Sequence, residues 1–199
     1  MSKLKKTILI MILVISVITT GMVFYFSFIN LPKDSIDGFN NPLEFFCDNG
    51  KNHIDFQTDG NCAAYATAYV LRSLGEHTSG EKISFEIKRI FGFVFTKSIV
   101  RVFEKHGFSS KAYHGDVTTL KQRLLDGIPI IVFIAIPNDT HYAVIVGYDE
   151  KYFYLVDSLP QNVNVDGNQY NRKLKIEEFE RIWRTDTVFS DNIYIVVDK

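Results

Sequence analysis

A cysteine at the start of a predicted helix is the first candidate for chemistry in this chain. Cys62 follows the polar, glycine-containing loop 57–61 and opens the alanine-rich stretch 62–74, which predicts a helix. The N-terminus of a helix carries partial positive charge and stabilises a thiolate, the nucleophilic form of cysteine. Gln57 is placed to bring its side-chain amide beside the sulfur. With the backbone N–H of Cys62, that amide would form an oxyanion hole.

Two simpler interpretations of Cys62 stay open on these residues alone. A lone cysteine is often a small buried apolar residue. In an oxidising location, Cys62 would pair in a disulfide with the only other cysteine, Cys47. The context of a polar loop leading into a helix favours the nucleophile over both.

His141 and Asp157 are the candidate partners of this cysteine. His141 precedes the apolar stretch 142–148, and Asp157 follows the stretch 152–156, so the two stretches predict a hairpin. The outer ends of a hairpin meet at one edge of the sheet, where Asp157 would orient the imidazole of His141 as general base. Taken alone, Asp157 reads as a surface turn residue. A zinc site from the same three residues is disfavoured, because closely spaced ligand pairs are missing.

The order of the predicted elements gives the fold class. Helices are predicted at 62–74, from Ser84 through Phe91, from Ser98 to His106, and from Thr118 or Thr119 to Leu125. Strands are predicted at 130–136, 142–148, 152–156 and 193–197. Because helices come first and mostly antiparallel strands follow, the pattern indicates an α+β fold.

The N-terminus differs from the rest of the chain. The uncharged stretch Thr7–Ile29 is long enough for a helix to cross a hydrocarbon layer of about 30 Å, and it exceeds the apolar region of most cleavable signal peptides. We therefore expect an uncleaved, single-pass signal anchor in the cell membrane. Three lysines precede the stretch, which predicts a cytoplasmic N-terminus and an extracytoplasmic domain. The expected division is a stub with anchor at 1–31, a linker at 32–50 and one domain at 51–199.

Charge and motifs exclude several function classes. The net charge of −1 and the lack of a basic cluster argue against a nucleic-acid partner. The glycine-rich loops that bind nucleotide phosphates are also missing from the sequence, so no nucleotide cofactor is expected.

Taken together, the stretches 57–64, 140–148 and 152–158 resemble the bacteriocin-processing (double-glycine) cysteine peptidases and their stand-alone papain-like relatives. The segments 120–132 and 176–183 are also similar to parts of that family, and the resemblance covers roughly residues 56–195. Many relatives have glycine and proline where this chain has Ala63 and Ser158, respectively.

This resemblance implies a papain-like fold, with the cleft between a helical half and a β-sheet half. It implies cleavage of a peptide substrate through a thioester, without a cofactor. In these roles Gln57 would be the oxyanion donor, Cys62 the nucleophile, His141 the base and Asp157 the third member.

Three other functions stay open. The domain could be a catalytically inactive papain-like module for binding or immunity. It could be a papain-like amidase or transglutaminase acting on cell-wall peptide, which would use the same residues. The third alternative is a secreted structural protein held by the Cys47–Cys62 disulfide.

Overall fold

The chain folds into two compact units, 1–31 and 32–199. The structure is a computed structural model, and it describes residues 3–28, 30–35, 41–48, 50, 52–58, 60–185 and 191–198. The first unit holds one helix, α1 (Lys3–Phe28). Its segment Lys3–Val23 has a mean hydropathy of 2.2 and is wholly unburied, so by length and composition α1 is able to cross a membrane. The end of the expected span, Ile29, lies outside the described residues.

The second unit has an α+β fold, as the order of elements predicted. Its helices are α2 (Cys62–Ser73), α3 (Gly80–Glu86), α4 (Thr96–Lys105), α5 (Val117–Leu124) and α6 (Ile176–Trp183). Its strands are β1 (Phe45–Phe46), β2 (Ser109–His114), β3 (Ile130–Ile136), β4 (Asp139–Tyr148), β5 (Tyr152–Val156), β6 (Arg172–Lys175) and β7 (Ile193–Asp198).

These strands form one antiparallel sheet. Its order is β2-β7-β3-β4-β5-β6, and β1 pairs with the end of β4. Helix α2 packs against β3 and β4, whereas α6 packs against β3, β5 and β6. The largest buried side chains in the α6 interface are Phe153, Phe179, Trp183 and Tyr194. The indole of Trp183 donates a hydrogen bond to the carbonyl of Ile193 at 2.9 Å, so this large ring is satisfied as well as buried.

The predicted helix from Ser84 through Phe91 is wrong at both ends. Helix α3 begins at Gly80, because Ser79 is its N-cap and accepts a hydrogen bond from the backbone N–H of Lys82. The backbone has left the helix at Ile87, and Phe91 has a φ of 51°, which no right-handed helix contains.

Two other helix starts lie slightly earlier than predicted. Helix α4 begins at Thr96 rather than Ser98. Helix α5 begins at Val117, because Asp116 and Thr119 form a reciprocal capping box that Thr118 takes no part in.

Part of the stretch 32–50, expected to be a linker, makes contacts within the second unit. The carboxylate of Asp34 accepts two hydrogen bonds from the guanidinium of Arg123, at 2.8 and 2.9 Å. Phe45 and Phe46 pair with Tyr148 and Gly147. This stretch is therefore tied to the second unit at two points, once to helix α5 and once to strand β4.

Candidate active site

Cys62 is the first residue of α2 and its side chain is partly exposed. Cys47 is buried next to β4, with its N–H donating to the carbonyl of Val146 at 2.8 Å. Both thiols are free in the structure, which therefore does not contain the alternative disulfide.

The N-terminus of α2 is not capped by the residue in front of it. Asn61 occupies the cap position, but its side chain makes no capping hydrogen bond to the helix. Instead its Oδ1 accepts a short hydrogen bond from Arg89, whose guanidinium also lies 3.4 Å from the carbonyl oxygen of Gly60. The partial positive charge of the helix end therefore stays available to the sulfur of Cys62 and to a bound substrate.

His141 is the third residue of β4 and lies near both of its predicted partners. Its Nε2 lies 2.7 Å from Oδ1 of Asp157, and Cys62 is close enough to the ring to raise its pKa. Because Nε2 is engaged by the carboxylate, Nδ1 is the nitrogen left for the sulfur. The ring is almost fully buried, so solvent does not compete for either nitrogen.

Electrostatics favours the protonated form of this histidine. Burial lowers the pKa of His141, but the hydrogen bonds and negative charges of Asp157 and Cys62 outweigh burial and raise the pKa from 6.5 to about 9. The imidazole therefore holds a proton at neutral pH.

A bulge in the hairpin allows the two ends to meet. Strands β4 and β5 pair Tyr148 with Phe153 and Val144 with Val156, and their register shifts between Ile145 and Gly147. The strand lengths read from the sequence required such an offset, since His141 is further from the turn than its partner. The extra residue on β4 reduces this offset by one, which places the side chains of residues 141 and 157 on the same face of the hairpin.

Asp157 is fully buried and accepts hydrogen bonds from four donors. Besides the imidazole, its carboxylate receives the backbone N–H of Leu159 at 2.9 Å, the amide of Asn162 at 3.0 Å and the guanidinium of Arg172 at 2.7 Å. Burial raises the pKa of Asp157, but these donors and the facing positive charges lower it below its ordinary value. The carboxylate is therefore ionised and fixed in orientation.

The backbone of Asp157 is held by a single asparagine. Its N–H donates to Oδ1 of Asn171 at 2.8 Å, and Nδ2 of Asn171 donates back to its carbonyl at 2.8 Å. Sequence reasoning missed Asn162, Asn171 and Arg172. The only signal was indirect, because a buried carboxylate requires hydrogen-bond donors. The sequence does not show which side chains the 15-residue connection 157–171 brings back to the carboxylate of Asp157.

Gln57 is hydrogen-bonded to Ser158, the residue that follows Asp157. Its backbone N–H donates to the carbonyl of Ser158 at 2.8 Å, and its side-chain Oε1 accepts from the hydroxyl of Ser158 at 2.8 Å. With Oε1 held in this way, the NH₂ end of the amide is the end left to donate elsewhere. The serine found where many relatives have proline therefore sets the orientation of the Gln57 side chain.

A cavity of about 900 Å³ lies on this side of the cluster. Part of its wall is formed by Phe56, which precedes Gln57, and by Asn171, which binds the backbone of Asp157. The loop 163–168 forms another part. Its lining mixes polar residues, such as His53 and Asp166, with apolar ones, such as Ile54 and Val165. The cavity is large enough for several residues of an extended peptide.

These residues can carry out nucleophilic acyl transfer. The sequence profile of the Peptidase C39 family matches residues 51–192. The chain belongs to the peptidase C39 family. Its members are cysteine peptidases, so the predicted resemblance and the enzyme class are both confirmed. No functionally curated protein sequence matches the chain significantly.

Solved structures of C39 peptidases have the same fold. The peptidase domain of Streptococcus ComA, a bifunctional ABC transporter involved in quorum sensing, is 20% identical, with a TM-score of 0.60 over 73% of this chain and 97% of that domain. A C39-like peptidase from Bacillus anthracis is 16% identical, with a TM-score of 0.60 over 77% and 97%. A double glycine motif protease from an AMS/PCAT transporter, solved with a leader peptide, is 18% identical, with a TM-score of 0.54 over 76% and 96%.

Proposed function

We propose that this C39 family member is a membrane-anchored, extracytoplasmic peptidase that uses Cys62, His141 and Asp157 as a catalytic triad. The observation that carries the proposal is the position of His141, with Nε2 2.7 Å from Asp157 and Cys62 close enough to raise the pKa of the ring. In this proposal residues 1–31 provide the anchor and the peptidase unit follows.

The reaction proceeds through a thioester. Cys62 gives its proton to His141, and the thiolate attacks the carbonyl carbon of the scissile peptide bond. The carbonyl oxygen becomes an oxyanion, stabilised by the amide NH₂ of Gln57 and the backbone N–H of Cys62. The imidazolium then protonates the leaving amine as the C–N bond breaks. A water molecule, deprotonated by His141, hydrolyses the thioester and regenerates the thiol.

The preferred substrate has small residues before the cleaved bond. Tyr142 follows the histidine; burial raises its pKa, and the nearby Cys62 raises it further. Its hydroxyl donates to the carbonyl of Val94 at 3.0 Å, and its ring contacts Phe133 with 4.7 Å between centroids. This side of the cleft is therefore filled, which favours glycine. One similar structure is a double glycine motif protease bound to a leader peptide, and we extend that specificity to this chain.

The proposal is tested with internally quenched peptides that carry either Gly-Gly or Ala-Ala before the scissile bond. The full chain, reconstituted in lipid nanodiscs, should hydrolyse the Gly-Gly peptide much faster. Cys62→Ala should abolish turnover, whereas the matched control Cys47→Ala should retain it.

Other outcomes would contradict the peptidase assignment. If wild type neither cleaves peptides nor reacts at a reduced Cys62 with peptidyl vinyl-sulfone probes, the domain is a binding or immunity module. If mass spectrometry shows incorporation of an added amine rather than hydrolysis, the domain is a transglutaminase.

The membrane topology is tested on intact cells. Lys3, Lys5 and Lys6 precede the apolar part of α1, whereas Lys33 lies beside Asp34 after it. Protease added outside the cells should therefore remove the catalytic unit and leave the N-terminal stub protected. A soluble, released protein with a new N-terminus within α1 would contradict the anchor.

A further inference from the structure

Three phenylalanines, one near the end of α3 and two in the connection to α4, are exposed to solvent, although phenylalanine side chains are usually buried. Phe85, Phe91 and Phe93, which we call the aromatic tip, are 91%, 87% and 68% exposed. Leaving such a ring in water forfeits the free energy that its burial would contribute. Three such rings within nine residues indicate a surface that another apolar phase covers.

The aromatic tip is built on a tight turn. The N–H and C=O groups of Ile90 and Phe93 pair at 2.9 and 3.0 Å, and the two residues between them have φ values of 51° and 85°. Positive φ at both central positions is the geometry of a two-residue hairpin turn. Gly92 adopts it freely, but a bulky residue such as Phe91 adopts it at a cost. The backbone therefore directs an aromatic ring outward at the most projecting point of the connection.

The base of this turn is fixed to the candidate active site. On one side Arg89 hydrogen-bonds to Asn61, the residue before Cys62. On the other side the carbonyl of Val94 accepts a hydrogen bond from Tyr142, the residue after His141. The position of the aromatic tip is thus coupled to both walls of the catalytic cleft.

Basic residues surround the aromatic tip. The segment 81–101 contains five basic residues, Lys82, Lys88, Arg89, Lys97 and Arg101, against two acidic residues, Glu81 and Glu86. The Glu86 carboxylate is paired with Lys105 at 2.8 Å, so the segment keeps a net positive charge. Exposed aromatic rings with cations around them suit a bilayer interface, where the rings enter the apolar layer and the cations meet anionic headgroups.

The shape of the turn favours a membrane over a peptide as its partner. Apolar ligand sites on proteins are concave and enclose most of the ligand, whereas this turn is convex. The chain also carries its own membrane-crossing candidate, α1. Lys33, which follows α1 in the sequence, pairs with His114 in a β-bridge.

Lys33, through its bridge to His114, and the aromatic tip lie toward the same end of the α4–β2 pair. The hydroxyl of Ser110, near the start of β2, reaches the carbonyl of Val100 in α4 at 3.4 Å, so the strand runs back along the helix. His114 ends that strand, and the aromatic tip precedes the first residue of that helix.

From these observations we infer that the aromatic tip inserts into the bilayer that α1 crosses and docks the catalytic unit on the membrane surface. This inference rests on the proposed anchoring. Docking holds the cleft beside the headgroups, so the enzyme acts on peptides that lie at or emerge from the membrane.

The test places a tryptophan at the tip of the full chain in nanodiscs that contain anionic lipid. The native Trp183 is fully buried and gives a constant background. In nanodiscs with lipids brominated in the acyl chains, the Phe91→Trp reporter should be quenched at least about threefold more than a matched Phe56→Trp reporter, since interfacial groups reach 5–10 Å into the bilayer. Phe56 is half exposed and lies on the Gln57 side of the cleft, away from the aromatic tip.

Each outcome has a distinct meaning. Equal quenching of the two reporters in chains that stay in the nanodisc overturns the docking inference alone. A chain that is not retained in nanodiscs overturns the proposed anchor and the docking inference with it. An emission change at the Phe91→Trp reporter on addition of substrate peptide, without quenching by brominated lipid, overturns membrane docking in favour of peptide binding. Probe labelling of Cys62 reports on the peptidase function independently of all three.

Discussion

Replacing Asp157 with asparagine should move the alkaline limit of activity toward neutral pH. The carboxylate lies 2.7 Å from Nε2 of His141, in a site from which water is excluded. The rise in the pKa of His141 from 6.5 to about 9 corresponds to about 3 kcal/mol in favour of the imidazolium, at 1.36 kcal/mol per pKa unit. Asparagine keeps the shape of the side chain but removes its charge.

The direction of the shift follows from what the variant retains. Burial of the ring still lowers the pKa of His141, and only the influence of Cys62 then opposes it. The imidazolium must protonate the leaving amine, so kcat/KM falls once the ring loses its proton. Wild type should therefore lose activity near pH 9, and Asp157→Asn should lose it at least about one pH unit lower.

The same ionisation contributes to folding stability. The pKa of His141 is higher in the folded than in the unfolded chain, so its contribution is complete below pH 6.5 and disappears as pH rises through about 9. The Tm of wild type should therefore fall over this range more than the Tm of Asp157→Asn.

The assay is kcat/KM for a quenched Gly-Gly peptide, measured across the alkaline range. Asp126→Asn is the matched control, because it makes the same chemical change at an exposed turn after α5. An alkaline limit common to wild type, control and Asp157→Asn would refute the assigned role of the carboxylate. A uniform loss of rate without a shift would show that the carboxylate acts on geometry alone.

Three further predictions concern single side chains. Iodoacetamide below neutral pH should label Cys62 faster than Cys47, because burial raises the pKa of the Cys47 thiol to about 12; equal rates in peptide mapping would contradict this. Gln57→Ala should lower kcat by about 10²–10³, and Ser158→Ala by a smaller factor, without changing the alkylation rate of Cys62, since alkylation forms no oxyanion. Additive losses in the double variant would show that the serine does not act through the glutamine. Arg172→Met should lower the free energy of unfolding by about 1.5–3 kcal/mol in urea titrations, the value of a hydrogen bond to a charged group, and Arg172→Lys should lose less; an unchanged midpoint for the methionine variant would contradict this.

Local signals in the sequence predicted the parts of the site that depend on neighbouring residues. The helix that begins at Cys62 follows from its alanines and the polar loop before it, and the β4–β5 hairpin follows from two apolar stretches around a turn. These signals also gave the α+β order of the second unit. They act over a few residues, so a sequence displays them directly.

The parts that the sequence did not predict depend on pairing between distant segments. Strand β6 has only four residues, without an apolar pattern, and it is a strand because it pairs with β5. Arg172 reaches the carboxylate only through that pairing. The start of α3 was misplaced for a different reason: Ser79 and Ser84 are both good capping residues, and the packing of Gly80 against the ring of Tyr65 favours the earlier one.

The two hydrogen bonds from the side chain of Asn171 to the backbone of Asp157 affect how substrate choice can change during evolution. The β5–β6 ladder ends with the pair Leu155 and Arg172, and the side-chain amide of Asn171 then supplies the donor and acceptor that one more strand residue would have supplied. The backbone of Asp157 is thus held as firmly as a strand residue, although the chain has already left the sheet at this point. The loop 163–168, which forms a wall of the large cavity, is consequently separated from the triad by a fixed clamp. Mutation can change the length and composition of that loop, and with it the choice of peptide, while the catalytic geometry is inherited unaltered.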